Sequence, residues 1–79
     1  MDYSDLTGTL IAATERAILV EDVETADATI DKVWIPKAVL ADRDFDDVVG
    51  TSNPGSENYL DPEFYEFLVS TRWLEEQDW

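Results

Sequence analysis

The sequence predicts an α+β fold: a small antiparallel meander of three to four strands with one C-terminal amphipathic helix packed on a face of the sheet. Three observations predict it. Two short apolar runs, Ala17-Ile18-Leu19-Val20 and Val33-Trp34-Ile35, are rich in β-branched or aromatic side chains and too short for a stable buried helix. The acidic stretch at residues 21–31 joins them as a long-looped hairpin. Further on, Asp61-Pro62-Glu63 heads a run whose apolar residues recur at helical spacing.

Leu6-Thr7-Gly8-Thr9-Leu10-Ile11-Ala12-Ala13 has the composition of a first strand, with Leu6, Gly8, Leu10 and Ala12 on one face. Gly8 marks either a bulge or a close approach of backbone. A helix through residues 10–20 is the alternative, because Leu10, Ala13, Ala17 and Val20 also fall at helical spacing. A turn over residues 13–15 with strands on both sides is preferred. The second strand covers residues 16–21 and the third residues 30–35, stopped by Pro36, which cannot donate to a ladder. On the third, Val33 and Ile35 share a face and Trp34 points to the other.

Residues 37–41 suit one helical turn or a short strand. Val48-Val49-Gly50 suits a brief strand. Thr51-Ser52-Asn53-Pro54-Gly55-Ser56 is a loop by its turn-forming residues. The C-terminal helix opens with Asp61 as N-cap and Pro62 at the first helical position. Phe64, Phe67, Leu68, Thr71 and Leu74 form its buried stripe. Acids at Glu75, Glu76 and Asp78 oppose the helix dipole, so either the helix is expected to fray after about Leu74 or the acids are kept there for a functional reason.

The 79 residues make a single domain, 1–79. A chain of this length buries only about 60% of its unfolded surface. The absence of cysteine removes disulfides and thiolate metal sites and fits a reducing compartment. No apolar run reaches the roughly 20 residues of a membrane span. The start Met1-Asp2-Tyr3-Ser4-Asp5 is acidic, unlike the basic start of a signal peptide. A soluble protein of the cytoplasm is expected.

Charge is the outlying property: 19 acids against 5 bases, net −14. A hydrophobic content of 44%, with three each of Trp, Tyr and Phe, argues against disorder. Such a field rejects nucleic acid and attracts basic surfaces. With neither His nor Cys, the commonest general base and the strongest nucleophile are missing, so no catalytic residue and no enzyme is expected. Gly8, Gly50 and Gly55 are isolated, so no phosphate loop exists and no cofactor is implied. Asp42, Asp44 and Asp46 sit at the first, third and fifth positions of an EF-hand-like loop, but the sixth is Asp47 instead of Gly and the twelfth is Asn53 instead of Glu. That block is expected to be solvated surface, and no metal site is assigned.

The acids come in blocks, and a folded face of closely spaced carboxylates can imitate duplex DNA, which carries a charge about every 1.7 Å of its axis. The partner-binding candidates are Asp42, Asp44, Asp46 and Asp47, then Glu63 and Glu66, with Glu21, Asp22 and Glu24 from the connector. Trp34, Tyr59 or Trp79 could anchor a partner, although core packing is the expected role of Trp34 and Trp73.

The pair Ala17-Ile18-Leu19-Val20 and Val33-Trp34-Ile35-Pro36-Lys37 resembles a small domain of phage and mobile-element proteins, in which an "AILV" strand pairs with a "WIPK" strand. Asp61-Pro62-Glu63-Phe64 is an approximate counterpart of the "PEW" stretch that opens its helical segment. The resemblance covers residues 16–74, with departures at residues 22–29 and 53–58. It implies a fold and a phage context. The short, very acidic profile also resembles anti-CRISPR proteins that inhibit type I systems, the type I-C class among them. That resemblance implies a monomer in a bacterial host cell that covers the basic DNA-binding surface of a Cascade subunit and blocks target DNA. The alternatives are a structural or regulatory phage interaction domain, and an immunity or antitoxin protein for a basic nuclease.

Overall fold

The computed structural model describes residues 2–26 and 28–77. Five strands form one antiparallel sheet, curled as a half-barrel, with one short helix at the C-terminal end. The strands are β1 (Tyr3–Ala13), β2 (Ala17–Glu24), β3 (Thr29–Pro36), β4 (Gly50–Thr51) and β5 (Glu63–Ser70), and the helix is α1 (Thr71–Glu75). A 3-10 turn, Lys37–Val39, follows β3.

β1 is the hub. β2 pairs along one of its edges and carries β3 beyond it. Its other edge is taken by β5 over residues 3–10 and by β4 at Ala12 and Ala13. After β3 the chain returns to the outer edge of β5. Leu40 bridges Val69, and the Ala41 amide donates to the Leu68 carbonyl at 2.9 Å. That return closes the curl around the core.

The concave face is apolar. Leu6, Leu10 and Ala13 from β1, Ile18, Val20 and Val23 from β2, Ile35 from β3, and Phe67 and Val69 from β5 are buried with Leu40 and Phe45. On β2 the inward residues Val20 and Val23 lie three apart, where a regular strand would need two. The pairing with β1 shifts register between Thr7↔Glu24 and Thr9↔Glu21. Asp22 absorbs the extra residue with φ of 52°, a left-handed conformation that Asp tolerates better than most residues. Opposite this bulge sits Gly8. A Cβ there would overlap a Val20 methyl carbon and lie 3.0 Å from the Glu21 carbonyl oxygen. Gly8 therefore marks a close backbone approach.

The first hairpin turns over residues 14–16, not as a helix, and the Thr14 amide donates to the Ala17 carbonyl at 2.8 Å. The acidic connector is mostly strand: residues 21–24 finish β2 and residues 29–31 begin β3. Pairing extends both strands because the bulge at Asp22 resets the alternation, so Glu21 and Glu24 both face outward while Val20 and Val23 stay buried.

The C-terminal helix is the main correction. Residues 63–70 form β5, and only Thr71–Glu75 are helical. The stripe Phe64, Phe67, Leu68, Thr71, Leu74 competes with a period-two pattern, Tyr65, Phe67, Val69, in the same residues. The second pattern wins because the free edge of β1 offers eight paired positions, Tyr3↔Ser70 to Leu10↔Glu63. Phe67 and Val69 are buried, while Phe64 and Leu68 are 66% and 45% exposed. Asp61 caps nothing helical. Ser70 is the N-cap, its hydroxyl accepting from the Trp73 amide at 3.4 Å. Among the described residues no long helix covers the sheet, although Trp73 and Leu74 pack against the core from α1. Trp34 is 50% exposed, so it is not core. Trp79 and Asp78 lie outside the described residues. Among the described residues no helix is long and apolar enough to cross a membrane.

Replacing Gly8 with Ala puts a methyl group against Val20 and the Glu21 carbonyl and forces β1 and β2 apart there. Overpacking of this kind costs about 1–3 kcal/mol, and in a domain of this size each kcal/mol lowers Tm by roughly 4–8 °C. Calorimetry of the Gly8→Ala variant should show a drop of about 4–24 °C, and an unchanged Tm would contradict the close approach.

Candidate functional site

The densest acidic block is a loop with two internal anchors. Pro36 ends β3, and Lys37 follows with its side chain turned inward, 5% exposed. Its Nζ donates to the Val48 carbonyl at 2.7 Å and to the Asp46 carbonyl at 3.2 Å. A buried amino group needs such partners, since leaving it unpaired costs several kcal/mol. Phe45 is the second anchor. Its ring, 8% exposed, meets Tyr65 at 5.4 Å nearly edge-on and Phe67 at 5.4 Å.

Between the anchors the backbone is closed by short-range bonds. The Asp46 amide donates to the Arg43 carbonyl and the Val48 amide to the Phe45 carbonyl, each at 3.1 Å. Asp42 Oδ1 accepts from the Asp44 amide at 2.8 Å. Arg43 donates to the Leu40 carbonyl at 3.1 Å and to the Lys37 carbonyl at 3.5 Å. It also faces Asp46 Oδ1 at 3.6 Å, an exposed pair of small energetic weight. The loop holds Phe45 inward and leaves Asp42, Asp44, Asp46 and Asp47 exposed, together with Arg43.

Glu63 joins this group. It begins β5 on the concave side, and its Oε2 accepts the Tyr65 hydroxyl at 2.8 Å. Because Tyr65 packs on Phe45, the carboxylate of Glu63 stands on the same rim as the loop. Donation to Glu63 holds the Tyr65 phenol above its ordinary value of 10.0, with desolvation and the neighbouring negative charge adding to the effect.

The other four candidates lie elsewhere. Glu66 faces outward on β5, opposite Thr7, and Thr7 faces Glu24 on β2. Two strand spacings separate those carboxylate-bearing strands, about 10 Å. Glu21 faces outward in the next row, between Thr9 and Lys32. Asp22 is exposed at the bulge. The fold thus brings Asp42, Asp44, Asp46, Asp47 and Glu63 to one rim, and Glu21, Glu24 and Glu66 to the convex face.

Two groups were not singled out by the sequence. Lys37 gave one signal: it is the lone base inside the apolar run at residues 33–41. Phe64, Leu68 and Tyr3 gave none, because the helical stripe accounted for the first two. Among the described residues no group of three acids is arranged to hold a metal ion. A cleft of about 620 Å³ lies between the start of β1, the β2–β3 turn and α1. There the Ser4 and Thr71 hydroxyls bond to each other at 2.7 Å.

Comparison of the chain with protein-family models, with curated proteins and with solved structures finds no match in any of the three.

The Tyr65–Glu63 bond has a spectroscopic consequence. Because the folded state favours the neutral phenol, its contribution to stability is complete below the unfolded phenol's titration and is lost as pH rises through the raised value. Ring-carbon NMR of Tyr65 should report titration above 10.0, and Glu63→Gln should lower it. An unshifted titration in both proteins would contradict the contact.

Proposed function

We propose that this chain is a non-catalytic inhibitor that seats the acidic loop at residues 42–47, with Glu63, in a basic nucleic-acid-binding groove. The partner that fits the resemblance to anti-CRISPR proteins is the DNA-binding surface of a Cascade subunit in a bacterial host cell. The observation that carries the proposal is the anchored loop: Lys37 and Phe45 fix the backbone from inside while the carboxylates stay solvated and outward.

The mechanism is occupancy. Duplex DNA presents closely spaced negative charge to such a groove, about one per 1.7 Å of axis. A loop already fixed in one conformation pays little ordering entropy on binding. The net charge of −14 adds long-range attraction to a basic surface and speeds encounter. No bond is made or broken, and release follows when salt screens the charges.

The test is capture of a purified Cascade complex by the immobilised chain, with and without target DNA. Binding is expected only without DNA and should weaken steeply as salt rises. The double variant Asp44→Lys, Asp47→Lys reverses two exposed carboxylates without replacing either anchor. It should weaken binding by at least about a hundredfold, because close charge pairs at interfaces couple by roughly 1.5–7 kcal/mol. Binding that survives both target DNA and the reversal would overturn the proposal.

A further inference from the structure

The convex face of the sheet carries a second surface with a different chemistry. Along β5 the outward positions read Phe64, Glu66, Leu68. Opposite them on β1 stand Thr9, Thr7 and Asp5, and Tyr3 follows across from Ser70. Phe64 is 66% exposed, Leu68 45% and Tyr3 42%. Residues two apart on one face of a strand are about 6.6 Å apart, so Glu66 stands midway along the roughly 13 Å between Phe64 and Leu68. Tyr3 is the diagonal neighbour of Leu68, about 7–8 Å away. Apolar side chains therefore flank a carboxylate on β5, and on β1 Asp5 lies between Thr7 and Tyr3.

We infer that this face is a docking surface for a basic amphipathic segment of another protein, an extended stretch with Lys or Arg between apolar residues. Charge decides the occupant. Asp5, Glu21, Glu24 and Glu66 make no ion pair among the described residues, where the ion pairs are Arg43–Asp46 and Arg72–Glu76. A second copy of the chain would set these carboxylates against one another, and directly opposed like charges are destabilising. Anionic lipid and nucleic acid meet the same repulsion from a chain of net −14. A purely cationic partner would leave Phe64 and Leu68 in water. Only a partner with both features covers the apolar side chains and neutralises the acids between them. Its apolar–basic–apolar spacing would match the apolar–acidic–apolar spacing of β5.

The surface is separate from the acidic loop. Phe45 enters the core from the concave side, against Tyr65 and Phe67, whereas Phe64, Glu66 and Leu68 alternate to the opposite face. The inference therefore does not rest on the proposed inhibition.

The test is amide NMR of the full chain with three synthetic peptides of equal length: alternating Lys and Leu, alternating Glu and Leu, and oligolysine. The Lys/Leu peptide should shift amides at residues 3–9 and 64–68, and the Glu/Leu peptide should shift none. Phe64→Thr with Leu68→Thr keeps strand propensity and should weaken the Lys/Leu peptide at least about tenfold, as expected for loss of interface anchors. Glu66→Lys, which leaves the apolar side chains in place, should weaken it by a similar factor. Asp44→Lys with Asp47→Lys should leave that affinity unchanged, which separates this surface from the loop. Three results would overturn the inference. The Lys/Leu peptide could shift only residues 42–47, or oligolysine could bind this face as tightly. Sedimentation could instead show a dimer that Phe64→Thr with Leu68→Thr disrupts, which would make a second copy the occupant.

Discussion

Lys37 is the contact on which the acidic rim depends. In a chain with 19 acids and 5 bases, Lys37 makes no ion pair among the described residues. It is buried, and it holds the carbonyls of Asp46 and Val48 from beneath. The acids of that loop are all exposed, and Asp46 alone has an ion-pair partner, Arg43, among the described residues. They can face water while the backbone that carries them is tied to the core. Phe45 does the same by packing, between Tyr65 and Phe67. Removing either anchor would free a block of like charges whose mutual repulsion favours an extended chain.

The half-barrel supplies the other condition. A small single-layer sheet needs an apolar face that something covers. Here the sheet curls over its own apolar face, and the return of the chain at Leu40 to Val69 closes the curl. Gly8 and the Asp22 bulge let β1 and β2 approach closely and keep both Val20 and Val23 inward. With the concave side filled by the loop anchor and the core, the convex side stays uncovered. That is why apolar residues such as Phe64 and Leu68 remain in solvent beside Glu66.

Much of this was legible in the sequence. The β2–β3 hairpin followed from β-branched residues in short runs, and the acidic character of residues 42–47 from composition alone. The last strand was not legible. Residues 63–70 satisfy a helical and a period-two pattern at once, and the choice is made by the free edge of β1, whose paired positions lie 53 to 67 residues away in the chain. Local pattern carries no information about that edge. For the same reason the acids could be found but not grouped. Glu63 and Glu66 look equivalent in a helix, yet as strand residues they point to opposite faces. Lys37 was missed because a single base beside Pro36 reads as surface until the loop folds over it.

The central claim is that the acidic rim is ordered before any partner arrives. Backbone order parameters from NMR relaxation of the free chain test it most directly, read at the amides of Asp44, Asp46 and Asp47. Values near those of the strands, about 0.85, are predicted from the two anchors. Values below about 0.6 at these positions, with β1 and β2 rigid, would contradict it.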